Sequence, residues 1–178
     1  LPCQYDGLSF LENTKGRILE ISSNRQKYGL IDTLGQVRVD LAYDEIGAFK
    51  EGRLAVKRNG LWGFVNQDGE EIIPCKFRRV NYFQEGYAAV QRKQHWGAID
   101  KEGTVVVDFR FQSLGNFNGG LAPARERYQT GFINPKGTYV ISPKYERAFA
   151  FEAGVARVVA KGKHGLIDRE GRYIIRPQ

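Results

Sequence analysis

A glycine returns every 34 residues along this chain, at Gly29, Gly63, Gly97, Gly131 and Gly165. Three further columns keep the same step: Gly35, Gly69, Gly103, Gly137 and Gly171; Phe49, Phe83, Phe117 and Phe151; and Gly52, Gly86, Gly120 and Gly154. A period this strict restricts the fold to a repeat array, in which each unit buries its apolar face against its neighbours. Such arrays build extended surfaces more readily than reaction centres.

Bulk properties agree with one folded domain over residues 1–178. The 178 residues are 42% hydrophobic and 26% charged, enough apolar content to bury a core without disulfides. No apolar run approaches the roughly 20 residues of a membrane helix. The segment Leu8-Ser9-Phe10-Leu11 is too short for a signal peptide. The chain begins with Leu and contains no Met, so the expectation is a processed product or an excised piece of something larger, with export left open. The two cysteines share one repeat column: Pro2-Cys3-Gln4-Tyr5 matches Pro74-Cys75-Lys76-Phe77. Equivalent atoms two repeats apart lie beyond the roughly 7 Å Cα limit of a disulfide. Two free thiols are expected, which favours a reducing compartment.

Five units can be written, at residues 1–41, 42–74, 75–108, 109–143 and 144–178. The first is a capping unit with four extra residues: Tyr5 precedes Gly29 by 24 positions, whereas Phe77 precedes Gly97 by 20. A 34-residue step also belongs to helical TPR arrays, but these units carry glycine in three columns and no amphipathic helix of useful length. Unit two reads as three strands. Leu54-Ala55-Val56-Lys57 alternates as a half-buried strand, and Arg58-Asn59-Gly60 is a hairpin turn. Trp62 to Asn66 is the second strand, and Asn66-Gln67-Asp68-Gly69 the second turn. Glu71-Ile72-Ile73 is the third strand, closed by Pro74 because proline cannot continue a central strand. The expected fold is all-β: a tandem array of five three-stranded antiparallel units in a solenoid-like stack, with a five-bladed β-propeller as the alternative.

The variable columns test for chemistry. Asp32, Asn66, Asp100, Asn134 and Asp168 occupy one column. A carboxylate site would need the charge, whereas an Asx turn needs only the oxygen common to Asp and Asn, so the column reads as a turn. Tyr28, Trp62, Trp96, Thr130 and His164 precede the recurrent glycine. An aromatic ladder for sugar rings or bases is broken by Thr130. The preferred reading is a half-buried column where glycine lets another backbone approach. The phenylalanine column sits in the connector between units and reads as the bolt packing one unit onto the next.

At this point a family likeness is carried by the residues. Gly52-Arg-Leu-Ala-Val-Lys-Arg-Asn-Gly60-Leu-Trp62-Gly63-Phe-Val-Asn66-Gln-Asp-Gly69-Glu-Glu-Ile-Ile-Pro74 resembles the WG repeat, also called the KWG repeat, of bacterial proteins. The frame recurs at Gly86–Asp108 and Gly154–Pro177 and is loose over residues 1–27. Departures stand at Tyr28, Thr130 and His164 in place of Trp, and at Asp108 in place of Pro. The resemblance implies a β-rich module beside other domains of a larger bacterial protein, with no general enzymatic activity and no named ligand.

No catalytic residue, metal set or cofactor site is assigned from the sequence. His95 and His164 fall in different columns, the cysteines are isolated, and no phosphate loop or nucleophile elbow is present. Charge is the functional signal. Net charge is +7, and the turn between the first two strands is basic in every unit: Arg25 and Lys27; Lys57 and Arg58; Arg92 and Lys93; Arg125 and Arg127; Lys161 and Lys163. These ten are the candidate binding residues. The plain reading is that they solvate hairpin tips and discourage edge pairing. The functional reading is a positive stripe for an acidic protein, a membrane surface, an anionic polysaccharide or nucleic acid. The expected function is a non-catalytic binding or scaffold module for a protein partner, with electrostatic binding of an anionic polymer as the alternative.

Overall fold

The computed structural model describes residues 5–10, 18–22 and 27–178, with backbone only at 8–10 and 18–22. The chain divides into two compact units, Leu1–Tyr82 and Phe83–Gln178. The first unit holds two four-stranded antiparallel meanders. One is β1 (Gly7–Phe10), β2 (Ile18–Ser22), β3 (Tyr28–Asp32) and β4 (Val37–Tyr43). The other is β5 (Glu45–Lys50), β6 (Arg53–Arg58), β7 (Leu61–Val65) and β8 (Glu71–Phe77), followed by the short β9 (Arg79–Val80). The second unit holds β10 (Ala88–Arg92), β11 (His95–Ile99) and β12 (Val105–Phe111). Two further four-stranded meanders follow: β13 (Ser113–Leu114), β14 (Ala122–Glu126), β15 (Gln129–Ile133) and β16 (Tyr139–Tyr145), then β17 (Arg147–Ala148), β18 (Ala156–Ala160), β19 (Lys163–Ile167) and β20 (Tyr173–Ile175).

The sheets correct two sequence expectations. They have four strands where three were expected, because the connector itself forms the first strand, as in the pairing of Glu45 with Lys57 and Ile46 with Val56. The last strand also runs on through its proline. In β8, Ile73 pairs with Phe64 and Phe77 with Trp62, so Pro74, Cys75 and Lys76 stand opposite Gly63 alone. This is a wide bulge on the outer strand, where a missing N–H breaks no ladder bond. β16 carries Pro143 in the corresponding bulge, one position further along than Pro74.

The bulge explains the glycine step. A Cβ at Gly63 would lie 2.7 Å from the Cys75 nitrogen and 2.7 Å from the Pro74 carbonyl carbon. Gly29, Gly97, Gly131 and Gly165 meet the same wall, formed by Val39, Val107, Ile141 and Ile175 backbone oxygens. The expected close approach is therefore real, and its partner is the neighbouring strand of the same sheet.

The core lies between successive sheets within each unit. In the first unit, Leu30, Val39 and Tyr43 of one sheet pack with Leu54, Val56 and Val65 of the next. In the second, Val107 and Phe111 pack with Ala122, Ala124 and Ile133 around Phe117. Phe132, Ile141 and Tyr145 pack in turn with Ala156, Val158 and Ile167 around Phe151. Phe117 stacks at 5.3 Å on Tyr87 and Phe151 at 4.7 Å on Phe132, as expected of inter-unit bolts. Leu54, Ala55 and Val56 are all buried, so β6 is covered on both faces, where the alternating pattern predicted one wet face.

The four extra residues of the first sheet divide between two connections. Leu8 pairs with Ile21, 13 positions on, where Ile46 pairs with Val56, 10 positions on. Ser22 pairs with Tyr28, six positions on, where Lys57 pairs with Trp62, five positions on.

The Asp/Asn column builds the second turn in all five sheets. Asn66 Oδ1 accepts the N–H groups of Asp68 at 3.0 Å and Glu70 at 2.9 Å. Asp32, Asp100, Asn134 and Asp168 repeat both bonds at the same offsets. In Asp168 burial raises the carboxyl pKa, but the Arg172 N–H and guanidinium outweigh it and hold the group below its ordinary value. A carboxyl depressed by folding stabilises the fold above its unfolded pKa and loses that contribution as pH falls through the folded value. Asp168→Asn keeps the accepting oxygen and removes the titration. Its melting temperature is expected to fall less than that of the wild type between neutral pH and about pH 3, below the ordinary carboxylate range. An equal fall in both proteins contradicts this.

Candidate interaction surface

Four of the basic hairpin residues, Lys27, Lys57, Arg58 and Arg92, are engaged by neighbouring carboxylates or rings. Lys27 pairs with the Asp44 carboxylate. Lys57 pairs with Glu45 at 3.0 Å and lies 5.5 Å above the Trp62 ring. Arg58 pairs with Glu71 at 3.2 Å and stacks 4.6 Å over Tyr43 of the preceding sheet. Burial lowers the Arg58 pKa, yet Tyr43 and Glu71 more than offset it and raise the group. Arg92 stacks 4.7 Å over Phe109. Much of this charge is spent on ring faces and carboxylates of the framework. Lys93, Arg127 and Lys161 occupy hairpin tips at positive φ, and Lys163 is exposed at the start of β19. Arg25 and Cys3 lie outside the described residues. Cys75 is a free, half-buried thiol whose pKa is pushed up by burial, so its thiolate is disfavoured.

Arg125 enters a groove with other polar and aromatic groups. The groove, about 360 Å³, runs between the first strands of the two last sheets and is lined by Leu114, Pro123, Arg125, Arg147 and Phe149 among others. Its position follows from chain geometry. After β12 and β16 the chain bends at a single residue, Gln112 or Glu146, and immediately pairs with the next sheet: Gln112 N–H donates to Arg125 O, and Glu146 N–H to Val159 O, each at 2.9 Å. The edge strands β13 and β17 are therefore short and leave space beyond them. Glu146 also lines the groove, and its carboxylate accepts the Gly162 N–H at 3.1 Å, so the charges along the groove are Arg125, Arg147 and Glu146. Phe149 is 39% exposed, and the Arg157 guanidinium lies 3.9 Å over its ring. A second hollow, about 550 Å³, joins Arg127 to the exposed Tyr128 at the tip of β14 and β15.

The sequence reading missed Arg147, Phe149 and Arg157. Their signal was a simultaneous departure in two columns. Phe149 stands where the other units have Gly47, Asn81 and Gly115, and Arg157 where they have Ala55, Ala89 and Pro123. At two of these positions packing leaves little room: a Cβ at Gly47 would meet Ala55 Cβ at 3.1 Å, and one at Gly115 would meet Pro123 Cγ at 2.7 Å. The last sheet instead turns both side chains outward as a stacked pair. Among the described residues no group of three or more His, Cys, Asp or Glu could hold a metal ion, and no helix is long and apolar enough to cross a membrane.

Comparison with known proteins follows this geometry. Hsv2 of Kluyveromyces lactis superposes with a TM-score of 0.55 at 8% identity, over 94% of this chain and 60% of that chain. Hsv2 of Kluyveromyces marxianus superposes with a TM-score of 0.55 at 9% identity, over 94% and 59%. The chain thus spans about three fifths of the length of these structures. At such identity the likeness is one of fold: all-β, built from blade-like four-stranded sheets of β-propeller type. No curated protein sequence matches the chain. The family model described as WG containing repeat matches four times, at residues 28–62, 62–94, 96–128 and 131–163. Each match opens on the strand that carries the recurrent glycine, and the chain belongs to the WG containing repeat family.

Proposed function

We propose that this chain is a non-catalytic binding module that holds a protein partner in the groove beside Phe149. The observation carrying this reading is the exposed Phe149–Arg157 stack next to Arg125 and Arg147. Stacked aromatic and guanidinium groups make anchors of high energy density at protein interfaces. Two arginines beside the single carboxylate of Glu146 leave the groove a net positive charge, which suits a partner segment with one or more acidic residues beside an apolar one. Repeat membership and the propeller-type fold support a binding role, since such folds present surfaces rather than enclosed reaction sites. The likeness to Hsv2 also supports reading the sheets as blades rather than as layers of a stacked solenoid.

Selection from a peptide library tests the reading. Peptides combining acidic and aromatic or aliphatic residues are expected to be enriched on the wild type, and to lose at least about tenfold in affinity on Arg147→Glu and Phe149→Ser variants. Enrichment that ignores both variants sinks the groove. The polyanion alternative predicts another pattern: heparin or DNA binding that falls steeply with salt, weakens on charge reversal at Arg58, Arg92 and Arg125, and ignores Phe149. The local pairing of Lys27, Lys57 and Arg58 weighs against that alternative.

A further inference from the structure

The sheets β13–β16 and β17–β20 each close their first connection with the same tight turn. Asn118 pairs with Leu121, and Glu152 with Val155. The two residues between them stand at positive φ: 63° and 74° at Gly119 and Gly120, 48° and 83° at Ala153 and Gly154. Successive N–H groups in such a turn form a concavity that holds an anion.

The first of these turns is filled. Glu85, in the connection of the preceding sheet, accepts the Gly119 N–H on Oε1 at 2.6 Å and the Gly120 N–H on Oε2 at 2.8 Å. The 34-residue step that brings Glu85 to this turn brings position 119 to the turn at Ala153 and Gly154, and position 119 is glycine. The last sheet's turn therefore receives no carboxylate from its neighbour. Gly119 and Gly120 are half-buried, whereas Ala153 and Gly154 are exposed. Among the described residues, no acceptor engages the N–H of either.

A cation already stands beside that turn's missing side chain. The Arg169 guanidinium donates to the Gly119 carbonyl, and its Nη1 would lie 2.8 Å from a Cβ at position 119. A glutamate carboxyl is only two bonds beyond its Cβ, so the guanidinium is within reach of a carboxylate clasped by the Ala153 and Gly154 amides. Two amides and a guanidinium make a charge-assisted donor set. Glu152, next to the turn in sequence, is the carboxylate that opposes it. All these residues belong to the second unit.

We propose that the Ala153–Gly154 turn and Arg169 bind a carboxylate of a protein partner, from an acidic side chain or from a chain end. The filled copy sets the chemistry: what the repeat itself supplies to this turn in the preceding sheet is a carboxylate. A partner as its source rests on the binding role proposed above, but the site shares no residue with the groove at Phe149. Arg147→Glu and Phe149→Ser test the groove and leave this turn intact, so either site can fail alone.

Amide NMR of the whole chain tests it, with N-acetylglutamic acid α-amide as the side-chain probe and N-acetylglycine as the chain-end probe. The Ala153 and Gly154 resonances are expected to shift and to saturate at roughly millimolar concentration. Those of Gly119 and Gly120, already held by Glu85, are expected to stay in place. Tighter binding of the first probe assigns the site to an acidic side chain, and of the second to a chain end. The uncharged N-acetylglutamine amide is expected to do nothing. Arg169→Gln is expected to weaken binding about tenfold. Gly119→Glu supplies the carboxylate from within the chain and is expected to abolish binding; Glu51 and Glu85 already stand in this column at φ 50° and 55°, so the backbone accepts the change. Failure of both probes to saturate the two amides, or binding that survives Gly119→Glu, overturns the proposal.

Discussion

Gly131→Ala is expected to lower stability by roughly 3–5 kcal/mol, among the largest effects a single methyl can have in this chain. The new Cβ would press on the Ile141 carbonyl oxygen and lie 2.7 Å from the Pro143 nitrogen and 2.9 Å from the Ser142 carbonyl carbon. All three are backbone atoms of the bulge in β16, so no rotamer change relieves them. Relief requires moving the strand that carries Ile141 and Tyr145, both buried in the joint with the next sheet. Gly120→Ala is the control. Gly120 has φ +74 and nothing within 4 Å of its Cβ position, so alanine there costs only the left-handed strain of about 1–2 kcal/mol. Urea denaturation of both variants separates steric exclusion from backbone preference. Equal losses would mean that the bulge yields and that the 34-residue glycine step has some other cause.

Phe117→Ala is expected to cost about 3–5 kcal/mol. Phe117 is fully buried and touches residues of both flanking sheets, with Tyr87 at 5.3 Å on one side and Ala122 and Ala124 on the other. Removing the ring empties the middle of a joint whose walls are held by strand pairing and cannot collapse, so transfer and cavity terms add. In an array whose sheets are stabilised by their neighbours, the loss also weakens coupling along the chain. Calorimetry should show a broadened or divided transition as well as a lower midpoint. Phe49, in the same column but only half-buried, should cost clearly less on the same change. A Phe117→Ala loss no larger than that of Phe49→Ala would refute the bolt.

Much of the architecture was legible because it rests on local or strictly periodic causes. The Asx turn at Asn66 needs one side-chain oxygen and two amides within four residues. The hairpin at Asn59-Gly60 needs positive φ at adjacent positions, which both residues adopt. The fourth strand was not legible. A two-residue strand such as Ser113–Leu114 has no periodicity of its own, and it exists because Arg125 and Ala124 stand ready to pair with it. Pro74 was misread for a related reason: its effect depends on whether the ladder needs its N–H, and the bulge removes that need. The groove was harder still. Arg125 was noticed as one of ten basic residues, but its neighbours Arg147 and Phe149 are separated from it by more than 20 positions and come together only where one sheet bends into the next.

From the sequence alone came the repeat, its all-β character, the turns and the bolts, since each depends on residue type at a fixed step. Tertiary structure decided strand count, the wall that excludes a side chain at Gly63, and which charges remain available. Lys57 and Arg58 look like a binding pair in the chain, yet Glu45, Glu71 and the Tyr43 ring engage them in the fold. A charge is recorded by its residue, whereas its availability depends on what folding places within a few ångströms of it.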